Sequence, residues 1–164
     1  MKEITKILFV CHGNICRSPM AEFVMKHLVN INGLTKFYEI ASAAVSTEEI
    51  GNDLYPPAKS KLREKDIPFA AHSARQITIS DYHYYDYIVL MDRSNKRWLD
   101  YIIQDADKRK VSFMMEWAGI QRDVADPWYT GDFEQAYQDI LCGCKAMLQQ
   151  LECKPIGESN TAPT

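Results

Sequence analysis

The sequence lacks the features that would assign it to a membrane, to nucleic acid or to the outside of the cell. No apolar run approaches the roughly 20 residues that a helix needs to cross a bilayer. Lys and Arg number 19 against 22 Asp and Glu, and the net charge of -3 disfavours nucleic acid and anionic membranes as main partners. The N-terminus lacks the apolar core and cleavage site of a signal peptide. We therefore expect a cytoplasmic protein with no membrane or nucleic-acid partner.

Cysteine is too scarce for a secreted disulfide framework. The 164 residues contain five cysteines, an odd number, in a chain long enough to bury a core of its own. Cys142 and Cys144 flank a glycine in a helical pattern, with no histidine nearby. Two thiols are too few to hold a zinc ion, so we predict no metal site in this region.

Strand and helix patterns alternate along the chain. Short apolar runs predict four strands, over 4–10, 37–43, 87–91 and 111–114. Helical spacing of apolar residues predicts four helices, over 19–32, 58–65, 94–103 and 133–151. Ser18 and Ser94 are predicted to cap the first and third helices, and 116–132 is predicted to be a long functional loop. The pattern predicts one α/β domain over 1–153, a parallel sheet with helices on both faces, followed by a disordered tail over 154–164.

The segment between the first strand and the first helix has the composition of an oxyanion site: Cys11-His-Gly-Asn-Ile-Cys-Arg17-Ser18. Backbone N–H groups and a helix N-terminus would surround an anion, and the planar guanidinium of Arg17 can bind two phosphate oxygens at once. Gly13 and Asn14 suit a loop that needs unusual backbone angles. The same positive field favours the thiolate of Cys11, which makes this residue a candidate nucleophile.

A second candidate group lies far along the chain, in the predicted loop that contains Asp126-Pro-Trp-Tyr129. A leaving alkoxide or phenoxide needs a proton, and the carboxyl group of Asp126 can give one and later take one from water. Trp128 and Tyr129 would wall a cleft, desolvate that carboxyl group and pack against a flat substrate ring. Cys11, Arg17 and Asp126 therefore form the predicted catalytic set.

With these segments in view, the chain resembles the low-molecular-weight protein tyrosine phosphatases. The resemblance extends from Lys6 to about Leu151 and is carried by four segments in the same order, 10–22, 72–76, 91–95 and 126–129. It implies a four-stranded parallel sheet in a flavodoxin-like, phosphotyrosine protein phosphatase I arrangement, with neither metal nor other cofactor. It also implies a phosphocysteine intermediate on Cys11, hydrolysed in a second step, with Arg17 binding the phosphoryl group and Asp126 acting as general acid and then base.

The resemblance gives supporting roles to further residues. A phosphate-binding P-loop would include, besides Cys11 and Arg17, the residues His12, Gly13, Asn14, Ile15, Cys16 and Ser18. Ser42 and His72 match positions that hold this loop in shape, together with Asn14 and Ser18. Cys16 matches a cysteine that can form a protective disulfide with Cys11 under oxidation. The enzyme would be a monomer or weakly self-associating, and its substrates would be phosphotyrosine-containing proteins, bound in a cleft lined by Glu48, Trp128 and Tyr129.

Two regions depart from the family pattern and bear on substrate preference. His12 stands where the family often has an apolar residue or Thr. The segment over 45–54 forms one wall of the cleft in the family and often carries an aromatic residue. Here Glu48 and Glu49 make that wall acidic, and Tyr55 is the nearest aromatic residue.

Three other functions remain open on the same fold. Bacterial protein arginine phosphatases resemble this family but have Thr where this loop has Ile15. Similar arsenate reductases need two more cysteines near 80–90, where this chain has none. A non-catalytic phosphate-binding module would be expected to have lost Cys11 or Asp126, and both are present.

Overall fold

The computed structural model describes residues 3–104 and 109–153. Four strands alternate with helices, and the strands are β1 (Thr5–Cys11), β2 (Tyr38–Ala44), β3 (Tyr87–Leu90) and β4 (Val111–Phe113). The α-helices are α1 (Arg17–Ile31), α2 (Pro56–Glu64), α3 (Ile79–Tyr84), α4 (Arg93–Ile102), α5 (Pro127–Thr130) and α6 (Phe133–Glu152). Short 3-10 turns lie at Thr35–Phe37 and Met114–Ala118.

The four strands form one parallel sheet in the order β2-β1-β3-β4. The chain therefore turns to opposite sides of β1, and the carboxyl ends of β1 and β3 flank the point where the strand order reverses. Ligands bind at such a switch point in open α/β sheets. This order confirms the predicted flavodoxin-like α/β fold and places Cys11, the last residue of β1, at that edge.

Both faces of the sheet are covered, as the apolar strand patterns predicted. Ile7 and Phe9 belong to one buried cluster with residues of α1, α2 and α6. Leu8 and Val10 alternate with them and belong to a second cluster, with residues of α3 and α4. All four side chains are fully buried, as expected for a central strand between two helical layers.

Several local predictions need correction. Ser18 does not cap α1: the cap is Cys16, and the hydroxyl of Ser18 points at the sulfur of Cys11 instead. Asp92, rather than Ser94, caps α4, in a capping box with Asn95. Serine is only one of several good N-cap residues. The contact with Cys11 takes up the hydroxyl of Ser18, and the carboxylate of the neighbouring Asp92 replaces Ser94 as the cap of α4.

The predicted loop over 116–132 is also more regular than expected, since it includes the end of a 3-10 turn and all of α5. The sequence patterns did not predict α3, which is only 6 residues long. Trp98, on α4, is 43% exposed. Within the described residues, no helix is long and apolar enough to span a membrane. The predicted tail over 154–164 lies outside the described residues.

A glycine in the middle of α6 lets the 3-10 turn at Met114–Ala118 pack closely against this helix. A Cβ atom on Gly143 would lie 2.7 Å from Cε and 2.8 Å from the backbone oxygen of Met114. Gly143→Ala should therefore destabilise the protein by about 1–3 kcal/mol through overpacking, although the same change in an open helix stabilises by about 1 kcal/mol. Urea unfolding measures the difference.

The exposed neighbour Cys142 on the same helix provides the control. Cys142→Ala should change the unfolding midpoint little. A Gly143→Ala variant as stable as the wild type would show that the 3-10 turn moves away from α6 without penalty.

Candidate active site

Strand β1 delivers Cys11 to the carboxyl edge of the sheet, where the following loop surrounds its sulfur with donors. The backbone N–H groups of Asn14 and Ser18 donate to Sγ of Cys11 at 3.3 and 3.4 Å. The hydroxyl oxygen of Ser18 lies 3.0 Å from the same sulfur. The arrangement suits a thiolate, which only accepts hydrogen bonds.

Asn14 holds the loop in shape. It is fully buried and its φ of 62° lies in the left-handed region, which Asn tolerates better than most residues. Its amide nitrogen donates to the hydroxyls of Ser18 (2.8 Å) and Ser42 (3.0 Å), and its amide oxygen accepts from the backbone of Arg75 at 3.2 Å. Its carbonyl oxygen lies 2.7 Å from Nε2 of His72. The predicted support residues therefore meet at Asn14.

Glu22 fixes the direction of this hydrogen-bond chain. A carboxylate only accepts, so the hydroxyl of Ser42 donates to Glu22 at 2.6 Å and accepts from Asn14. Asn14 also donates to Ser18, whose own hydroxyl proton is then directed to the sulfur of Cys11 or to the β2 carbonyl 3.3 Å away. Glu22 therefore orients the hydroxyl of Ser42, and Asn14 directs that of Ser18.

Arg17 is 2% exposed and its guanidinium is held by three acceptors. Nη1 donates to Asp92 (2.6 Å) and to the carbonyl of Val124 (2.8 Å), and Nη2 donates to Asp126 at 3.3 Å. Burial alone lowers the pKa of Arg17. The negative groups around it, Cys11 and Asp126 foremost, outweigh burial and raise that pKa above its ordinary value.

Asp126 reaches the site as the N-cap of α5. Its Oδ1 accepts from the backbone of Trp128 at 3.0 Å, while Oδ2 faces Arg17. Trp128 and Tyr129 are 50% and 83% exposed at the mouth of the site. The ring of Trp128 rests on that of Tyr55, with centroids 4.7 Å apart. Trp128 and Tyr129 therefore lie beside the pocket, as the sequence predicted, and Tyr55 packs against Trp128.

These groups enclose a pocket of about 100 Å³, a few times the volume that one water molecule occupies. Its lining comprises Cys11, His12, Gly13, Ile15, Cys16, Arg17, Glu48, Glu49, Asp126, Trp128 and Tyr129. The remaining predicted site residues do not line the pocket: Asn14 and Ser18 belong to the loop, and Ser42 and His72 contact it through Asn14. The structure thus brings together residues that are more than 100 positions apart in the sequence.

Known proteins share both this sequence and this fold. A family model described as low molecular weight phosphotyrosine protein phosphatase matches residues 6–155. The human protein of that name is 38% identical over 155 residues, which cover 91% of this chain and 98% of the human protein. The chain belongs to the low molecular weight phosphotyrosine protein phosphatase family. It is therefore an enzyme of the cysteine-dependent protein-tyrosine-phosphatase class, which confirms the resemblance seen in the sequence.

Solved structures agree with this assignment. A low molecular weight protein tyrosine phosphatase from Streptococcus pyogenes is 41% identical and has a TM-score of 0.81, with 90% of this chain and 93% of that chain covered. The Drosophila arginine phosphatase is 30% identical and has a TM-score of 0.82, with 90% and 98% covered. The fold is therefore shared by phosphatases named for different phosphorylated residues.

Cys16 differs from Cys11 although both belong to the loop. It is buried, and burial, followed by the nearby charge of Cys11, raises the pKa of its thiol well above the ordinary value. All five cysteines are free. Cys16 is therefore a neutral thiol beside the candidate nucleophile, and its pairing with Cys11 under oxidation stays a prediction.

Gly13 does not have the unusual backbone angles that were expected of it, because only Asn14 in this loop has a positive φ. A Cβ atom on Gly13 would instead lie 3.2 Å from Cγ of Glu49. Because Gly13 has no Cβ atom, the side chain of Glu49 can pass close to the loop.

Sequence reasoning missed two residues of this phosphatase site. Asp92, which holds Arg17, lies just after β3, and the adjacency of parallel strand ends would have pointed to it. Glu22 lies one helical turn after Ser18, on the same face of α1 as that residue. Its contact with β2 depends on how the helix packs on the sheet, and no sequence pattern indicated it.

The role of Asn14 can be separated into backbone and side-chain parts. Asn14→Ala should destabilise the protein by about 2–4 kcal/mol, because it loses hydrogen bonds and leaves a Cβ residue at positive φ. Asn14→Gly loses the same bonds without that strain, so it should be about 1 kcal/mol less destabilising. Urea unfolding gives the stabilities, and alkylation of Cys11 by iodoacetamide should slow in both variants. Equal stabilities would contradict the backbone argument.

Proposed function

We propose that the protein hydrolyses phosphotyrosine in proteins, and small aryl phosphates, through a phosphocysteine intermediate on Cys11. One observation carries the proposal: a single small pocket joins the Cys11 sulfur, the Arg17 guanidinium and the Asp126 carboxyl group, with Arg17 and Asp126 in direct contact. These are the nucleophile, the phosphate ligand and the proton donor that phosphoryl transfer from an ester requires.

In the first step the Cys11 thiolate attacks phosphorus in line with the ester oxygen. A sulfur–phosphorus bond forms while the phosphorus–oxygen bond to the tyrosine breaks. Asp126 gives its proton to the leaving phenoxide, so that tyrosine departs neutral. Arg17 and the loop amides bind the equatorial oxygens, where the charge of the transferring group is spread.

In the second step water attacks the phosphorus of the phosphocysteine. Asp126, now a carboxylate, takes a proton from that water as the new phosphorus–oxygen bond forms. The sulfur–phosphorus bond breaks and Cys11 leaves as a thiolate, beside the hydroxyl of Ser18 at 3.0 Å. Inorganic phosphate is released, and Asp126 keeps the proton taken from water, ready for the next leaving group.

The mouth of the pocket favours an aromatic ester. The half-exposed ring of Trp128 and the exposed ring of Tyr129 border the opening and can pack along a phenyl ring. We further propose that the enzyme acts as a monomer in the cytoplasm on phosphotyrosine-containing proteins. The acidic net charge of -3 supports the expectation that nucleic acid is not a partner.

Substrates with different leaving groups test the role of Asp126. Asp126→Ala should slow hydrolysis of phosphotyrosine by about 10²–10⁴-fold, and it should slow cleavage of a nitrophenyl phosphate much less, because that leaving group needs no proton. Rapid quenching should then trap phosphorus on Cys11 of the variant, since the second step lacks its base. Cys11→Ser is the control and should show neither turnover nor trapped phosphorus. Equal losses on both substrates would disprove the general-acid role.

Arginine phosphatase activity is the second candidate, because the Drosophila arginine phosphatase shares this fold. Ile15 is buried and lines the pocket, where the arginine phosphatases considered above have Thr. We expect the wild type to prefer phosphotyrosine over phosphoarginine in matched peptides. Ile15→Thr should move the ratio of kcat/KM values toward phosphoarginine, and Ile15→Val, which keeps the β-branched shape without the hydroxyl, should not. A wild-type preference for phosphoarginine would reverse the assignment.

The two remaining alternatives are weaker. Arsenate reduction in similar proteins uses additional thiols, and this sequence has no cysteine between Cys16 and Cys142. A binding module needs neither Cys11 nor Asp126, yet the structure keeps both at one pocket. Detection of a phosphocysteine, as above, would exclude the binding module.

A further inference from the structure

His12 and Glu48 line a second part of the pocket, separate from α5, and Trp98 contacts His12 there. Nε2 of His12 lies 3.1 Å from Oε1 of Glu48. The imidazole also contacts the indole of Trp98 in a T-shaped arrangement, at a centroid distance of 5.3 Å and an interplanar angle of 81°. Three segments therefore meet here: the phosphate loop, the segment after β2 and helix α4. We call these three residues the histidine rim.

Ser46 anchors this rim to the sheet. Its backbone N–H donates to the carbonyl oxygen of His12 at 3.0 Å, and its hydroxyl accepts from the backbone of Glu48 at 3.4 Å. Ser46 itself is 2% exposed. Nε2 of His12 lies 3.1 Å from the carboxylate of the same Glu48. The Glu48 carboxylate is thus held in one place at the pocket, although its side chain is 62% exposed.

The charge at the opening is negative although the pocket beneath it binds an anion. Glu49 follows Glu48 in the pocket lining, and Asn52 donates to its carboxylate at 2.8 Å. The positive charge of Arg17 lies below, where Asp92 and Asp126 already pair with it. A substrate segment with acidic neighbours would therefore meet like charges, whereas a basic neighbour would meet a fixed carboxylate.

The indole of Trp98 adds a second feature that suits a cation. It is 43% exposed and contacts His12, which lines the pocket. Lys and Arg side chains bind favourably to a carboxylate and to the face of an indole ring. An acidic or neutral side chain gains neither interaction.

We infer that the histidine rim determines substrate specificity by binding a Lys or Arg side chain next to the phosphorylated residue. This inference rests on the proposed function, since it concerns the peptide that enters the same pocket. An exposed ion pair contributes up to about five-fold in affinity, and an exposed cation–π contact contributes at least about two-fold. The enzyme should therefore prefer a basic flank over an acidic one by about ten-fold in kcat/KM.

The test uses two phosphotyrosine peptides that differ only in Lys or Glu beside the phosphorylated residue. Each kcat/KM is divided by the same variant's value on a nitrophenyl phosphate, so that any general change in catalysis cancels. The wild type should prefer the Lys peptide by about ten-fold at low salt, and less at high salt because of screening. Glu48→Gln should reduce the preference to about two-fold, the part expected from the indole. Trp98→Leu should reduce it to about five-fold, the part expected from the ion pair.

The matched control is Glu64→Gln on α2. Glu64 is 56% exposed, similar to Glu48, and does not line the pocket. This variant should keep the full preference. Activity on nitrophenyl phosphate without any preference for the Lys peptide, or a preference that stays at about ten-fold in Glu48→Gln, would overturn the inference and leave the proposed function intact. Failure to hydrolyse either class of phosphate ester would overturn the proposed function itself, and the inference with it.

Discussion

The left-handed backbone of Asn14 is the constraint on which the site depends. It reverses the chain after β1, so that the N–H groups of Asn14 and Ser18 both reach the sulfur of Cys11. This conformation costs an L-residue about 1–2 kcal/mol, and the hydrogen bonds of the Asn14 side chain and carbonyl offset that cost. Those bonds come from Ser42 and His72, in segments that only the folded sheet brings near. The loop is therefore shaped by the fold before any substrate binds.

A buried cation organises the other half of the site. Arg17 is nearly inaccessible, and an unpaired guanidinium there would be strongly unfavourable. Asp92 at the end of β3 and Asp126 at the start of α5 provide the compensating charge. The pairing has a functional consequence, because it holds the candidate proton donor against the candidate phosphate ligand. One electrostatic requirement thus fixes both the stability of the loop and the position of Asp126.

The bottom and the rim of the pocket present different chemical groups. The bottom consists of backbone amides, a thiol and a guanidinium, the groups that the proposed function assigns to the phosphoryl group. The rim carries side chains whose identity departs from the family pattern, above all His12 and Glu48, which contact each other. Chemistry and selectivity are therefore placed on separate residues, and the rim can change without disturbing Asn14 or Arg17.

Local periodicity and spacing were sufficient to predict the alternation of strands and helices and the burial of β1. The residue types of the loop were sufficient to indicate an oxyanion site. The sequence also indicated Asp126 as a proton donor from its neighbours. It could not determine that Asp92 pairs with Arg17, that Glu22 orients Ser42, or that His12 meets Trp98. Those contacts join residues from separate elements, and only the packing of helices on the parallel sheet brings their atoms within hydrogen-bonding or ring-contact distance.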